Sequence, residues 1–488
     1  MKKSWCLALL FIGGCAVGPD YEPPANEVGT EWDGLKDASI ASSDEPLIEW
    51  WQVFNDELLT KYISLAAEHN QDVLTATANV LQAKALRQMS ASSFYPQIGL
   101  DVNATRTYFS KNGPVFAIGP SVGNVPGTIS QNTGLPFDVQ VPQTQNLYNT
   151  LFDIAWEIDV FGKTRRTVEA ADAAVGSAIE ARNDTLLSVM AEIARNYIEL
   201  RSVQKKQQLI EENIALLEKQ AALVHRQFIA GYVSKLDDET IQAMLSDERA
   251  LLPDLLAQIH RSIYTLSVLT GEYPETLLQE LIAAKALPTA PEKVAVGLRS
   301  DLLRRRPDVR QSERNLAAAT ANIGVAVASF LPVFTLVGDG GLQSLMLRNL
   351  FAMGSRTWAL GGDMNMPIFE GGKLMGNLHA KRAETAAAAH AYQQTVLTAL
   401  EETESAIVAY NQDLLSRLEY SSAVDRYQAL TRLSADRNRF GLTNTLDLIN
   451  VERQLNQAQQ ELLNSDTIAL LDLIVLYKAL GGGWECAF

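Results

Sequence analysis

Two stretches, 163–230 and 373–440, contain no proline, and each holds a single glycine, Gly176 and Gly376. Helix is the regular structure a chain sustains over such a length, and at 1.5 Å per residue each stretch would reach roughly 100 Å. In the first, positions alternate at spacings of three and four: Leu186, Val189, Ile193, Asn196, Leu200, Val203, Gln207, Ile210, Ile214, Leu217, Ala221, Val224 and Phe228. Only Asn196 and Gln207 are polar, so the pattern is a coiled-coil seam. The second stretch is alanine-rich around 386–391 and keeps the pattern less cleanly; small residues there favour close helix packing.

The two stretches belong to two copies of one larger unit. Ser93-Phe94-Tyr95-Pro96 returns as Ser329-Phe330-Leu331-Pro332, and Ile158-Asp159-Val160-Phe161-Gly162 returns loosely as Met366-Pro367-Ile368-Phe369. Ala230-Gly231-Tyr232-Val233-Ser234-Lys235-Leu236-Asp237 matches Phe440-Gly441-Leu442-Thr443-Asn444-Thr445-Leu446-Asp447. Each copy reads helix, two strands, very long helix, tight turn, helix. The first carries extra residues between its strands, within 111–143, where Gly, Pro, Asn and Ser mark a surface loop. The expected partition is a leader at 1–14, an extended segment at 15–50, a first repeat at 51–270, a linker at 271–298, a second repeat at 299–480 and a tail at 481–488.

The strand candidates alternate apolar and polar residues. In 147–160 one face takes Tyr148, Phe152, Ile154, Trp156 and Ile158, the other Asp153, Glu157 and Asp159. In 357–368 Trp358, Leu360, Met364 and Met366 oppose Thr357 and Asp363, and in 97–104 Ile98, Leu100 and Val102 oppose Asp101. The fourth candidate, 333–338, is short. Strands of about ten residues, apolar on one side and wet on the other, suit a membrane barrel. Four strands are too few to close one, and an open sheet edge cannot face lipid. Copies of the chain must therefore combine, and three copies leave more room for a water-filled lumen than two.

Lys2 and Lys3 precede a short apolar run, Trp5 to Ile12, and then Ile12-Gly13-Gly14-Cys15. The run is too short to span a bilayer but suits a secretory leader. Its end resembles a bacterial lipobox, in which Cys15 would be acylated, palmitate included, and become the mature N-terminus; Ala16 in place of Asp then points to the outer membrane. The other cysteines are Cys6, in the leader, and Cys486, so no internal disulfide forms. A net charge of −16 without basic blocks argues against nucleic acid. At 47% apolar and 20% charged the composition is that of a folded chain. No metal spacing links the five histidines, and no phosphate loop, dinucleotide fingerprint or nucleophile motif occurs. The expectation is a protein with no enzymatic activity, no metal and no cofactor.

Several motifs, in order, resemble the outer membrane factors of tripartite efflux systems, the TolC-like family, and within it the OprM-like lipoprotein branch: Cys15-Ala-Val-Gly18-Pro19-Asp20-Tyr21, Trp50-Trp51 with Phe54, Arg305-Arg306-Pro307-Asp308-Val309, Ala328-Ser329-Phe330-Leu331-Pro332, Phe369-Glu370-Gly371-Gly372 and Leu476-Tyr477-Lys478-Ala479-Leu480-Gly481-Gly482-Gly483-Trp484. The resemblance implies a mixed α and β fold: a homotrimer with a twelve-stranded outer-membrane β-barrel, four strands per chain, continued by a long periplasmic helical barrel. It implies a passive exit duct for drugs or other small toxic compounds, fed by a periplasmic adaptor and an inner-membrane transporter of the RND type. Alternatives are a duct for type I protein secretion or for metal efflux, the latter on Met364 and Met366, and a coiled-coil envelope scaffold.

Asp101, Asp153, Glu157, Asp159 and Asp363 are expected to line the pore; the plainer reading is a solvated sheet face. Lys163, Arg165 and Arg166 could meet lipid head groups, but the favoured reading pairs them with Glu169 or Asp172. Pro307 suits a helix start and Pro253 a bend, whereas its repeat equivalent is Leu463. At the tight turns Gly231 and Gly441 suit a left-handed position, and Ser234 and Asn444 suit N-caps, with Asp237 and Asp447 three residues on. By the resemblance, Asp447 would line a periplasmic constriction, with Asp237 a lesser contributor. Asn450 stands where the family's pattern has a second acid. The tips, with Gly231, Val233, Ser234, Leu236, Gly441, Leu442, Thr443 and Leu446, would seat the adaptor.

Overall fold

The computed structural model describes residues 16–25, 29, 32–35, 48–110, 143–291, 294–297, 299–443 and 445–486. The leader, Cys15 and the loop 111–142 lie outside them. In chain order the elements are α1 (Glu57–His69), α2 (Gln71–Ser92), β1 (Gln97–Tyr108), β2 (Thr144–Ile158), α3 (Lys163–Ile229), α4 (Lys235–Ala250), α5 (Leu252–Leu269), α6 (Leu278–Leu281), α7 (Arg299–Arg305), α8 (Pro307–Ala328), β3 (Val333–Ser344), β4 (Arg356–Asn365), α9 (Lys373–Arg439) and α10 (Thr445–Ala479). The repeat is plain in this order, and α3 and α9 are each 67 residues long.

The chain divides into two compact units that cut across the repeats. One comprises Met1–Asp20, Leu86–Ala170 and Thr320–Ala383; the other comprises Tyr21–Ala85, Ala171–Ala319 and Glu384–Phe488. The first holds an antiparallel sheet in the order β1-β2-β3-β4. β3 is longer than its sequence suggested, because Gly338, Gly340 and Gly341 hide the alternation that continues through them to Ser344. Glycine is required at one of these: a Cβ on Gly341 would lie 2.1 Å from the Thr150 carbonyl oxygen on β2.

The second unit holds the main core. Trp50, Trp51, Phe54, Tyr62 and Ile63 pack against α3 at Met190, Ile193 and Tyr197 and against α10 at Leu473, Leu476 and Tyr477. Trp50 stacks on Tyr477 with ring centroids 5.6 Å apart and meets Trp51 edge-on. The residues Leu277, Leu281, Val294 and Val296, between the repeats, are buried in the same core. A smaller cluster follows along α3, where Ile210, Ile214, Leu217, Ala221 and Val224 meet Ile241, Leu245, Leu255 and Ile449. The heptad seam is thus the buried face of α3, and polar Asn196, in the middle of it, turns its amide back to the Glu192 carbonyl at 2.8 Å.

Helix ends follow local chemistry. Asp56 accepts from the Leu58 and Leu59 amides to start α1. The Asn70 side chain accepts from the Asp72 and Val73 amides and donates to the Leu269 carbonyl, which ties the α1–α2 joint to the end of α5. Pro253 falls at the start of α5 and separates it from α4, whereas α10, with Leu463 at that place, runs unbroken for 35 residues. Among the described residues no helix is long and apolar enough to cross a membrane.

Candidate channel face and helix-tip sites

The register of the sheet decides which side chains share a face. Asp153 lies opposite both Gly99 and Asp339, Glu157 opposite Thr335, and Thr335 opposite Asp363. Directly paired residues point the same way, so Asp101, Asp153, Glu157, Asp339 and Asp363 all stand on one face. Asn103, Asn149 and Asn365 share it. Asp153 has room for its carboxylate because its neighbour is Gly99: a Cβ there would lie 2.6 Å from Asp153 Oδ1. The other face carries Ile98, Leu100, Val102, Phe152, Ile154, Trp358, Leu360 and Met364, all exposed. The sheet thus carries its acidic residues on one face and an exposed apolar set on the other. Each of its outer strands, β1 and β4, has a single neighbour among the described residues.

Two residues change the expected acidic set. Asp339 joins it; the glycines around it hid the strand, and the sole sequence signal was its odd-numbered place in the alternation from Val333. Asp159 leaves the strand set. β2 ends at Ile158, and the Asp159 carboxylate accepts from the Thr164 and Arg165 amides at 3.1 and 2.9 Å. It caps the positive end of α3, a local demand that the alternation alone could not reveal.

The basic cluster after β2 is occupied by protein partners. Lys163 lies 3.6 Å from Glu157, and Arg165 lies 3.3 Å from Asp159. Arg166 is buried. Its guanidinium donates to the Val17 and Gly18 carbonyls at 3.2 and 3.4 Å, to Asp20 at 2.6 Å and to Glu169 at 2.8 Å. Gly18, at φ +97°, packs on α8 so closely that a Cβ would lie 2.4 Å from the Gly324 Cα. The segment just beyond Cys15 is therefore clasped between the start of α3 and the body of α8.

At the helix tips both turns end in the same motif. Gly231 and Gly441 have φ of +82° and +70°. The Gly231 and Tyr232 amides return to the Phe228 and Gln227 carbonyls, and the Gly441 and Leu442 amides to those of Asn438 and Arg437, all at 2.9 Å. These are Schellman closures. Ser234 and Asp237 form the expected capping box that starts α4. His225 reaches Asp238 at 3.1 Å and ties α3 to α4. Asp447 lies exposed in the first turn of α10; Asn444 and the side chain of Leu446 lie outside the described residues. Leu236 and Leu442 are exposed, with Val233 and Thr443 partly so. Sequence reading missed Ile229, Tyr232 and Phe440, which add exposed apolar area to the same tips; their place beside the two glycines was the available signal. Among the described residues no group of three His, Cys, Asp or Glu could hold a metal.

The outer membrane efflux protein family model matches residues 62–272 and 298–482. A toluene efflux pump outer membrane protein of Pseudomonas putida, TtgC, is 29% identical over 486 residues, covering 99% of this chain and 95% of that protein. Among solved structures, the outer-membrane channel OprN has a TM-score of 0.85 at 27% identity, covering 96% of this chain and all of that one. The Campylobacter jejuni CmeC outer membrane channel has the same TM-score at 22% identity, covering 96% of this chain and 95% of that chain. The shared fold is of mixed α and β class, that of trimeric channels in which a β-barrel continues into a helical barrel, and the family is one of channels and not of enzymes. The chain belongs to the outer membrane efflux protein family and is an outer-membrane exit channel of a tripartite efflux pump, extending into the periplasm.

Proposed function

We infer that the protein works as a homotrimeric lipoprotein, anchored through an acylated Cys15, that conducts small toxic organic compounds passively to the exterior. The observation that carries this reading is the two-faced sheet. Three copies would join β4 of one to β1 of the next, turn Asp101, Asp153, Glu157, Asp339 and Asp363 to a water-filled lumen, and turn the apolar face to outer-membrane lipid. Toluene and antibiotic efflux are named for relatives, and small organic substrates are the class proposed here. The chain supplies no energy; a periplasmic adaptor and an inner-membrane transporter of the RND type would deliver the cargo.

The helix tips would meet the adaptor through Gly231, Val233, Ser234, Leu236, Gly441, Leu442, Thr443 and Leu446, with Ile229, Tyr232 and Phe440 enlarging the apolar contact. Asp447 would narrow the periplasmic mouth, and Asp237, held in its capping box, would contribute less. The test is complementation. A host lacking its own exit channel, given this gene with its adaptor and transporter, should regain solvent and drug tolerance. Variants with Leu236→Asp and Leu442→Asp should reach the membrane but restore little. Full tolerance from the double variant would remove the tips from the adaptor interface, and no tolerance from the wild type would contradict the efflux reading.

A further inference from the structure

Charge is divided between the two ends of the sheet. At the end where β1 and β3 begin and β2 and β4 finish, the chain passes to the helices. The cations there are paired: Lys163 with Glu157, Arg165 with Asp159, Arg166 with Asp20 and Glu169, and Lys373 with Glu370. At the opposite end, the charged residues among the described ones are Arg106, Arg348 and Arg356, all exposed. No ion pair or side-chain hydrogen bond joins any of the three to another described residue. In a chain of net charge −16, the run from Gly340 to Gly362 holds two of these arginines and no carboxylate.

Two of the arginines continue the apolar face. On β1 that face reads Ile98, Leu100, Val102, Ala104, Arg106 and Tyr108. On β4 it reads, toward the helices, Arg356, Trp358, Leu360, Gly362 and Met364. Arg106 stands nine residues from Gln97, and Arg356 nine from Asn365, the helix-side ends of their strands. At about 3.4 Å per residue that is roughly 30 Å along the strand. With a strand tilt of about 40° the depth becomes roughly 23 Å, close to the apolar band of a membrane barrel, about 25 Å tall. Both guanidiniums therefore stand where hydrocarbon gives way to head groups. Trp358, 79% exposed, and Tyr108 each lie two positions away on the same face, and aromatic residues gird barrels at this margin.

The connection from β3 to β4 adds Arg348 among Leu345, Met346, Leu347, Phe351 and Met353, all exposed. The connection is braced from within: Ser355 Oγ donates to the Asn349 carbonyl at 2.6 Å and Ser344 Oγ to the Met346 carbonyl at 2.9 Å. Because the helices extend into the periplasm, this end of the sheet meets the outer leaflet. An arginine beside lipid is costly unless an anion meets it, and its planar fork matches phosphate oxygens in pairs.

We propose that this rim docks a phosphorylated, multiply acylated glycolipid of the outer leaflet, with phosphates on Arg106, Arg348 and Arg356 and acyl chains along Val102, Trp358 and Leu360. The inference rests on the reading that the apolar face meets lipid.

The test uses the full chain in neutral detergent, immobilised through a tag, with diphosphoryl lipid A as the probe. Saturable retention of lipid A is expected, and phosphatidylcholine should not displace it. The Arg106→Gln, Arg348→Gln, Arg356→Gln triple variant should bind roughly tenfold or more weakly. Lys373→Gln, at a cation on the helix side, should match the wild type. Arg348→Gln alone, outside the strand ladder, repeats the test if the triple variant fails to assemble, and should weaken retention in the same direction. Equal retention by the variants, equal retention of lipid A stripped of its phosphates, or displacement by inorganic phosphate alone overturns the proposal. Loss of retention that tracks dissociation of the oligomer in both variants overturns it too, since the arginines then join copies. Insertion into phosphatidylcholine vesicles separates this surface from the reading it rests on. A wild type that inserts but retains no lipid A sinks only the surface, whereas a wild type that fails to insert sinks the lipid-facing sheet.

Discussion

Single side chains at the two turns separate a capping role from a gating one. Asp237 accepts from Ser234 N at 2.9 Å and closes a capping box, so Asp237→Ala should cost about 1 kcal/mol of stability and leave conductance almost unchanged. Asp447→Ala should raise planar-bilayer conductance roughly twofold or more as the mouth loses its charge. If Asp447→Ala lowers melting while conductance stays at the wild-type value, Asp447 is a cap and not a gate. Asp472 adds a dependence on pH. Its carboxyl, raised from an ordinary 3.8 to about 7 by burial and Asp413, favours the folded state when protonated. That contribution is complete below about 4 and is lost as pH rises through 7. Thermal melting should therefore fall between pH 5 and pH 8, and Asp472→Asn should flatten that slope. A slope unchanged by the substitution would refute the assignment. Arg166 was readable only as one of three basic residues after a strand. Its burial, and its hold on residues 17–20, depend on chain segments nearly 150 positions apart that only the fold brings together.

At the scale of the element, the long helices were the most legible feature, because a seam of apolar residues repeated from Leu186 to Phe228 has one efficient way to be buried. Their ends were legible too, since Gly231 and Gly441 occupy backbone angles that disfavour any side chain. A Cβ at either would meet nothing within 4 Å, so the cost of Gly231→Ala or Gly441→Ala is purely conformational, about 1–2 kcal/mol. Amide exchange at Tyr232 and Leu442, whose N–H groups close the turns, should accelerate in the matching variant; equal exchange rates would mean that the Schellman closures contribute nothing. The sheet was less legible. β3 was under-read because glycine carries no hydropathy signal, and Asp159 was over-read because alternation runs on past the last ladder bond into a helix cap. Both errors have one cause: strand limits are set by pairing with β2, which lies far away in sequence.

For the whole molecule, the acidic face of the sheet was inferred from alternation, and the register then brought four of the expected carboxylates, with Asp339, onto one side. The central claim is that copies of this chain close that side around water. Cysteine scanning tests it directly. In a Cys486→Ser background, single substitutions Asp153→Cys, Asp339→Cys and Asp363→Cys are compared with Phe152→Cys, Leu360→Cys and Met364→Cys, each reconstituted in a planar bilayer and treated with a charged, water-soluble thiol reagent. The account predicts that current changes at Asp153, Asp339 and Asp363 and stays constant at Phe152, Leu360 and Met364. Equal responses on both faces, or a response confined to the apolar one, would contradict it.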